Sequence, residues 1–315
     1  MDKSILVINS CGKQCGIYQY GLNFYETLKK SNLFKVDYAS AEPISTVGRV
    51  SSDLVRILNA SAIIYNHYDV AMLKNNVDTI RSINPKIIHI SIIHDKQLDF
   101  FDYYLFADPT MQETGKVIKI PRIIPSYVPI DASPDFTIGS FGFGAGGKFE
   151  RLINKVNEEY NKAIISLLIP FNDIIDPDGR IYALKTASKC KELVKRLNKP
   201  GLALRICHDF LTKNQVLDFL SQNTINAFLY DEVTHCGISS TVDYALAARR
   251  PIAISRTKMF RHLHGATPSI CVEENSLQNI VQNGTAPLAP FYQWTEENFI
   301  TNMERILTNI FNGGI

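Results

Sequence analysis

The chain has 315 residues, of which 45% are hydrophobic and 20% charged. That balance supports one large or two ordinary packed domains and excludes a chain disordered throughout. Lys plus Arg number 33 against 31 Asp plus Glu, a formal charge of +2, so the broad basic field of a dedicated nucleic-acid binder is missing, while a local anion site needs only one or two cations and some backbone N–H groups.

The first expected element is a strand at Ser4–Asn9. Its apolar part, Ile5–Ile8, is too short for a signal-peptide core and far too short to cross a bilayer. No other stretch reaches the roughly 20 apolar residues of a membrane helix. The expectation is a cytoplasmic protein without a transmembrane segment. Further runs rich in Ile and Val follow at Ala60–Tyr65, Lys86–His94, Tyr103–Phe106 and Val117–Ile120. They are apolar on both faces, as strands of a buried parallel sheet are. Tyr18–Lys30 and Ser51–Leu58 read as helices between them. The segment Ile120–Asp135, with four prolines, reads as a linker.

The alternation then restarts. Strands are expected at Phe136–Phe141, Ala163–Ile169, Leu202–Cys207, Ala227–Tyr230, Pro251–Ser255 and Ser269–Val272. Helices are expected at Gly147–Val156, Arg180–Leu197, Lys213–Leu220 and Ser239–Ala248, and at Thr295–Phe311 with Thr295 as N-cap. The fold class is therefore α/β, with two doubly wound Rossmann-like domains in succession. The boundaries expected are 1–130, 131–294 and a closing helix, 295–315, that returns to the first domain. In such folds ligands collect at the carboxyl ends of the strands.

Five groups of residues carry chemical interest. Between the first strand and helix, Cys11-Gly12-Lys13-Gln14-Cys15-Gly16 reads either as a plain turn or as a loop where a ligand approaches the backbone. His94-Asp95 closes a buried strand, either as a structural histidine or as an imidazole oriented by a carboxylate. Five glycines from Gly139 to Gly147 precede Lys148 at a helix start, which reads as a phosphate site or as a flexible loop. Next, Gly237-Ile238-Ser239-Ser240-Thr241 brings hydroxyls and free N–H groups to a helix start, with His235 before it and Asp243 a turn or so inside. Asp176-Pro177-Asp178-Gly179 has an Asp-x-Asp form but reads as a surface turn, so no metal site is expected. Cys207 and Cys271 read as buried thiols.

The order of these motifs resembles the GT-B glycosyltransferases, particularly their retaining family-4-like branch. The resemblance is carried by Cys15-Gly16-Ile17-Tyr18, His94-Asp95, Ile124-Pro125, Gly139-Ser140-Phe141-Gly142, Lys148-Phe149, and His235 and Asp243 ahead of Ala247–Pro251. The family has two glutamates at the last pair of positions, so this chain departs from it there. It also lacks the arginine that often precedes the phosphate lysine.

The resemblance implies two facing domains with a cleft, and transfer of a sugar from a nucleotide-diphosphate sugar, such as a UDP- or GDP-sugar, to a carbohydrate or other hydroxyl acceptor with retention. It implies catalytic roles for His94, Asp95 and His235. It implies donor contacts from Gly16, Lys148, Gly237, Ser239, Ser240, Thr241 and Asp243, the last on the ribose. No cofactor beyond the donor is implied, and oligomeric state stays open. The alternatives are a protein of the same fold that binds a sugar nucleotide without transferring the sugar, and a sugar-nucleotide epimerase.

Overall fold

A computed structural model describes residues 3–10, 16–41, 56–67, 73–94, 99–144, 146–172, 180–233 and 237–314. The chain divides into two compact units, one formed by residues 1–123 and 294–315, the other by 124–293. Both are α/β, as their alternating patterns predict.

The first unit contains β1 (Lys3–Ser10), α1 (Gly16–Leu28), β2 (Phe34–Ala41), β3 (Ala62–Asn66), α2 (Lys74–Ile83), β4 (Ile88–Ile93), β5 (Tyr103–Phe106) and β6 (Val117–Lys119). Among the described residues these strands form one parallel sheet in the order β2-β1-β3-β4-β5-β6. All of β3 is buried, and β1 from Ile5 onward. The strand β2 is absent from the sequence-based expectation. Its sequence, Phe-Lys-Val-Asp-Tyr-Ala-Ser-Ala, interleaves charges with apolar residues. Among the described residues it is the edge strand, paired with β1, and it leaves Lys35 exposed.

The second unit contains β7 (Thr137–Phe141), α3 (Lys148–Glu159), β8 (Ala163–Leu168), α4 (Ile181–Leu197), β9 (Leu202–Cys207), α5 (Lys213–Ser221), β10 (Ile225–Phe228), α6 (Thr241–Ala247), β11 (Ile252–Ile254) and α7 (Leu277–Asn283). Its described strands are parallel in the order β11-β10-β7-β8-β9. Phe149, Leu152, Ile153 and Val156 give α3 one apolar face, and all four are fully buried in the core of this unit. The strand expected at Ser269–Val272 does not form; Cys271 makes only an isolated parallel bridge to Ile254. Of the two thiols expected to be buried, Cys271 is, whereas Cys207 is half-exposed at the end of its strand.

The last helix, α8 (Glu296–Phe311), belongs to the first unit. Thr295 caps it by accepting from the Asn298 N–H at 3.1 Å. Phe299, Met303, Ile306, Leu307 and Ile310 recur at helical spacing and join the core formed by Ile5, Phe24, Leu28 and Phe34. The rings of Phe24 and Phe299 meet edge to face at 5.3 Å. Each such buried side chain contributes about 2 kcal/mol. Among the described residues, no helix is long and apolar enough to cross a membrane.

Candidate functional site

In each sheet one pair of adjacent strands marks where the strand order reverses. In the first it is β1 and β3, in the second β7 and β10. Loops leave such a pair in opposite directions, so polar groups at the carboxyl ends are open to a ligand rather than covered.

At the first reversal, Asn9 and Asn66 are register partners and both are fully buried. Asn66 Nδ2 donates to Asn9 Oδ1 at 2.6 Å and to the Ile17 carbonyl at 2.8 Å. Asn9 Nδ2 donates to the Tyr18 carbonyl at 3.0 Å and to Tyr38 Oη at 3.2 Å. The pair lies against α1 at Gly21, where a Cβ would overlap both Asn66 Nδ2 and Asn9 Oδ1. No other residue fits there without moving the asparagines. His94 follows β4, and its Nε2 lies 2.6 Å from Asn66 Oδ1. The Tyr20 ring meets the imidazole edge to face at 5.5 Å, and the Arg122 guanidinium lies over Tyr20 at 5.8 Å. Burial, and secondarily Arg122, lower the His94 pKa to about 4. Gly16 is the first residue of α1; it is exposed and faces open space. Asp95 lies outside the described residues.

At the second reversal the glycine-rich loop leaves β7. Gly142 has φ +144°, a conformation that favours glycine, and a Cβ there would lie 2.8 Å from Lys148 Nζ. The ammonium stands 4.5 Å from the centre of the Tyr230 ring and 5.2 Å from that of Phe149. Among the described residues it has no carboxylate partner. Gly144 is closely packed: a Cβ on it would touch the Tyr182 carbonyl at 2.8 Å, and Thr186 Oγ1 donates to the Gly144 carbonyl at 2.6 Å.

The start of α3 differs in one respect from the sequence pattern, which has backbone N–H groups and Lys148 converging on an incoming anion. The Gly147 N–H instead donates to Asp231 Oδ2 at 3.1 Å. Asp231 is also paired with Arg151, whose Nη1 donates to the Tyr230 carbonyl at 3.1 Å. The positive end of α3 thus already holds a carboxylate of this chain, and Lys148 stands beside it as a cation not so engaged. A cavity of about 400 Å³ beside α3 has the carboxylates Glu150 and Glu158 as well as Arg151 and Lys155 among its walls; Lys148 is not one of them.

Across the same reversal lies the start of α6. Ser239 Oγ and Thr241 Oγ1 are 2.8 Å apart, and the Ser239 N–H donates to the Met259 carbonyl at 3.0 Å. Asp243 is buried in the first turn, because the helix begins at Thr241 and not two residues earlier. Gly237 and Ser240 are half-buried. Phe141, at the end of β7, meets Tyr244 of α6 with ring centres 6.2 Å apart, which ties the two loops together. His235 lies outside the described residues, as do Cys11, Cys15 and Asp176–Gly179.

Sequence reasoning does not single out Asn9, Asn66, Gly21, Arg151 or Asp231. A signal exists for two of them. Each asparagine closes a run of apolar strand residues, Ile5–Ile8 and Ala62–Tyr65, and a buried amide at a strand's carboxyl end calls for partners that only a site or a helix terminus supplies.

No family model and no curated protein matches the sequence. Solved structures do match the fold. Sucrose-phosphate synthase from Thermosynechococcus elongatus superposes with a TM-score of 0.69 at 11% identity, covering 99% of this chain and 100% of that one. A glycosyltransferase from Rickettsia africae ESF-5 gives 0.64 at 10% identity, covering 99% and 98%. A UDP-forming α,α-trehalose-phosphate synthase from Burkholderia xenovorans gives 0.63 at 12% identity, covering 98% and 99%. The chain therefore has the two-domain α/β fold of GT-B glycosyltransferases.

Proposed function

We propose that the protein is a glycosyltransferase that moves a sugar from a nucleotide-diphosphate sugar to a carbohydrate or other hydroxyl acceptor with retention. The observation that carries this reading is Lys148: a half-buried cation at the head of α3, over a glycine of positive φ, without a carboxylate partner among the described residues. An ammonium so placed suits the diphosphate of a sugar donor. It neutralises the charge that develops on the leaving group, and a fixed charge needs no reorganisation as it does so. The fold shared with sucrose-phosphate and UDP-forming trehalose-phosphate synthases supports the same class, and it favours UDP-sugars among donors and sugar phosphates among acceptors.

In this reading the donor belongs to the second unit. Gly237, Ser239, Ser240 and Thr241 bind the diphosphate beside Lys148, and Asp243 accepts from the ribose hydroxyls. His235 serves the transferred sugar. Gly16, His94 and Asp95 of the first unit serve the reacting sugars. Charge is neutralised by Lys148 and N–H groups, so EDTA leaves turnover unchanged; loss of turnover with EDTA would overturn that part.

The test is a screen of the purified protein against UDP-, GDP-, ADP-, CMP- and dTDP-sugars, reading thermal shift and nucleotide release. A donor that stabilises the protein and is consumed supports the transferase. Lys148→Ala should lower nucleotide release on the order of 100-fold with an unchanged melting temperature, and wild-type turnover in that variant excludes the phosphate role. Stabilisation without release for any acceptor supports the binding-only alternative, which the replacement of the family's glutamate pair by His235 and Asp243 favours.

A further inference from the structure

The polar chain that ends on His94 has a fixed direction. It begins at the carbonyls of Ile17 and Tyr18, which can only accept. Tyr18 O takes a hydrogen bond from Asn9 Nδ2, and Ile17 O takes one from Asn66 Nδ2. The second proton of Asn66 Nδ2 goes to Asn9 Oδ1. Both protons of the Asn66 amide are thus committed. Turning that amide over would set its oxygen against two acceptors, Ile17 O and Asn9 Oδ1, with no proton between them. Asn66 can therefore offer His94 only its oxygen, 2.6 Å from Nε2. His94 has to donate from Nε2.

The charge on His94 follows from its neighbours. Among the described residues, the titratable and charged groups placed against it are Tyr20 and Arg122. Arg122 is itself buried and donates to the Ala107 carbonyl at 2.9 Å. Burial disfavours an imidazolium and the Arg122 guanidinium repels it, so the ring stays neutral near pH 7. A neutral imidazole with its proton on Nε2 carries a lone pair on Nδ1. That nitrogen has no partner among the described residues.

We propose that Asn66 is a positioning residue that holds His94 in its neutral Nε2–H form, so that His94 Nδ1 meets a substrate as a hydrogen-bond acceptor for a sugar hydroxyl. The hydroxyl contact rests on the transferase reading above; the tautomer lock does not. Asn9 and Gly21 are part of the device, the first by fixing the Asn66 amide and the second by leaving room for both.

The lock is tested by nitrogen-15 NMR of the imidazoles in the unliganded wild-type chain, with His94 assigned by its loss in His94→Gln. The expected spectrum at pH 6.5 shows a neutral ring protonated at Nε2. An Nδ1–H tautomer or a charged ring would overturn the proposal. In Asn66→Ala, checked for folding by circular dichroism, the Nδ1–H tautomer should become populated; an unchanged tautomer there also overturns it. If that variant does not fold, the wild-type spectrum decides alone. Where the donor screen yields turnover, Asn66→Ala should lower kcat/KM about tenfold and change its pH profile. Unchanged kinetics would remove the hydroxyl contact. A screen with no turnover removes the transferase reading while the spectrum still decides the lock.

Discussion

Each unit buries a pair of hydrogen-bonded asparagines, and the two pairs differ in what they leave open. Asn9 and Asn66 sit at the carboxyl ends of β1 and β3, and their hydrogen bonds run outward to a half-buried histidine. Asn223 and Asn226 sit near the amino end of β10. There Asn223 Nδ2 donates to Asn226 Oδ1 at 2.9 Å and to the Phe219 carbonyl at 3.0 Å, and Asn226 Nδ2 donates to the Leu220 carbonyl at 3.0 Å. That network closes on the end of α5. Both pairs are roofed by a glycine, Gly21 in the first unit and Gly139 in the second. The same chemistry therefore serves two purposes, and its position along the sheet decides which. At the amino ends it pins a helix terminus; at the carboxyl ends it delivers an oriented group to the ligand side.

Substitutions should separate the two. The largest stability loss is expected for Gly139→Ala, about 3 kcal/mol by denaturant unfolding, because its Cβ would overlap the Asn223 amide within a buried strand. Any transferase activity of the folded fraction should survive. Gly21→Ala should cost about 2 kcal/mol and, unlike Gly139→Ala, should also release the His94 tautomer. If both variants behave alike, the distinction between a closed and an open pair fails.

A pH series sharpens the comparison further. His94 has a folded pKa of about 4 against the ordinary value of 6.5. Between those values the unfolded chain binds a proton that the native state refuses. Stability should therefore be full above pH 6.5 and fall as pH drops toward 4, by up to about 1.4 kcal/mol per pH unit for such a group. His89 is fully buried beside Tyr65 and is shifted to about 4 by the same cause, burial. His94→Gln and His89→Asn should each flatten part of the acid slope, whereas Asn226→Ala should lower the curve without changing its slope. The smallest effect is expected far from both pairs: Thr295→Ala removes the cap of α8 and should cost about 1 kcal/mol, with the His94 spectrum unchanged.

Local periodicity and backbone rules account for what is legible in the sequence. Ala60–Tyr65 and Lys86–His94 read as buried parallel strands, and β3 (Ala62–Asn66) and β4 (Ile88–Ile93) form within or across those runs. The run of glycines up to Lys148 reads as a turn between strand and helix, and Gly142 there takes the positive φ that glycine permits. The misses have physical causes too. The strand β2 mixes charged and apolar residues because it lies at an edge, and Ser269–Val272 has an apolar centre because that centre is buried rather than because it pairs as a strand. Of the candidate site residues, Lys148 and His94 were visible as chemistry-bearing groups at strand or helix ends, but the partners that orient them were not. Asp95 and His235 lie outside the described residues.

By itself the sequence determined the α/β class, the succession of two sheets and the loops that could carry chemistry, because these depend on local periodicity and on glycine and proline rules. Only the tertiary structure decided which polar groups met. That Asn9 lies beside Asn66 follows from strand register across 57 positions of chain, that Gly21 rather than Gly16 is the indispensable glycine follows from packing, and that Asp231 holds the start of α3 follows from the neighbouring strand. Long-range register and packing leave no mark in local sequence, since the partners are chosen by the whole sheet and not by their own neighbours.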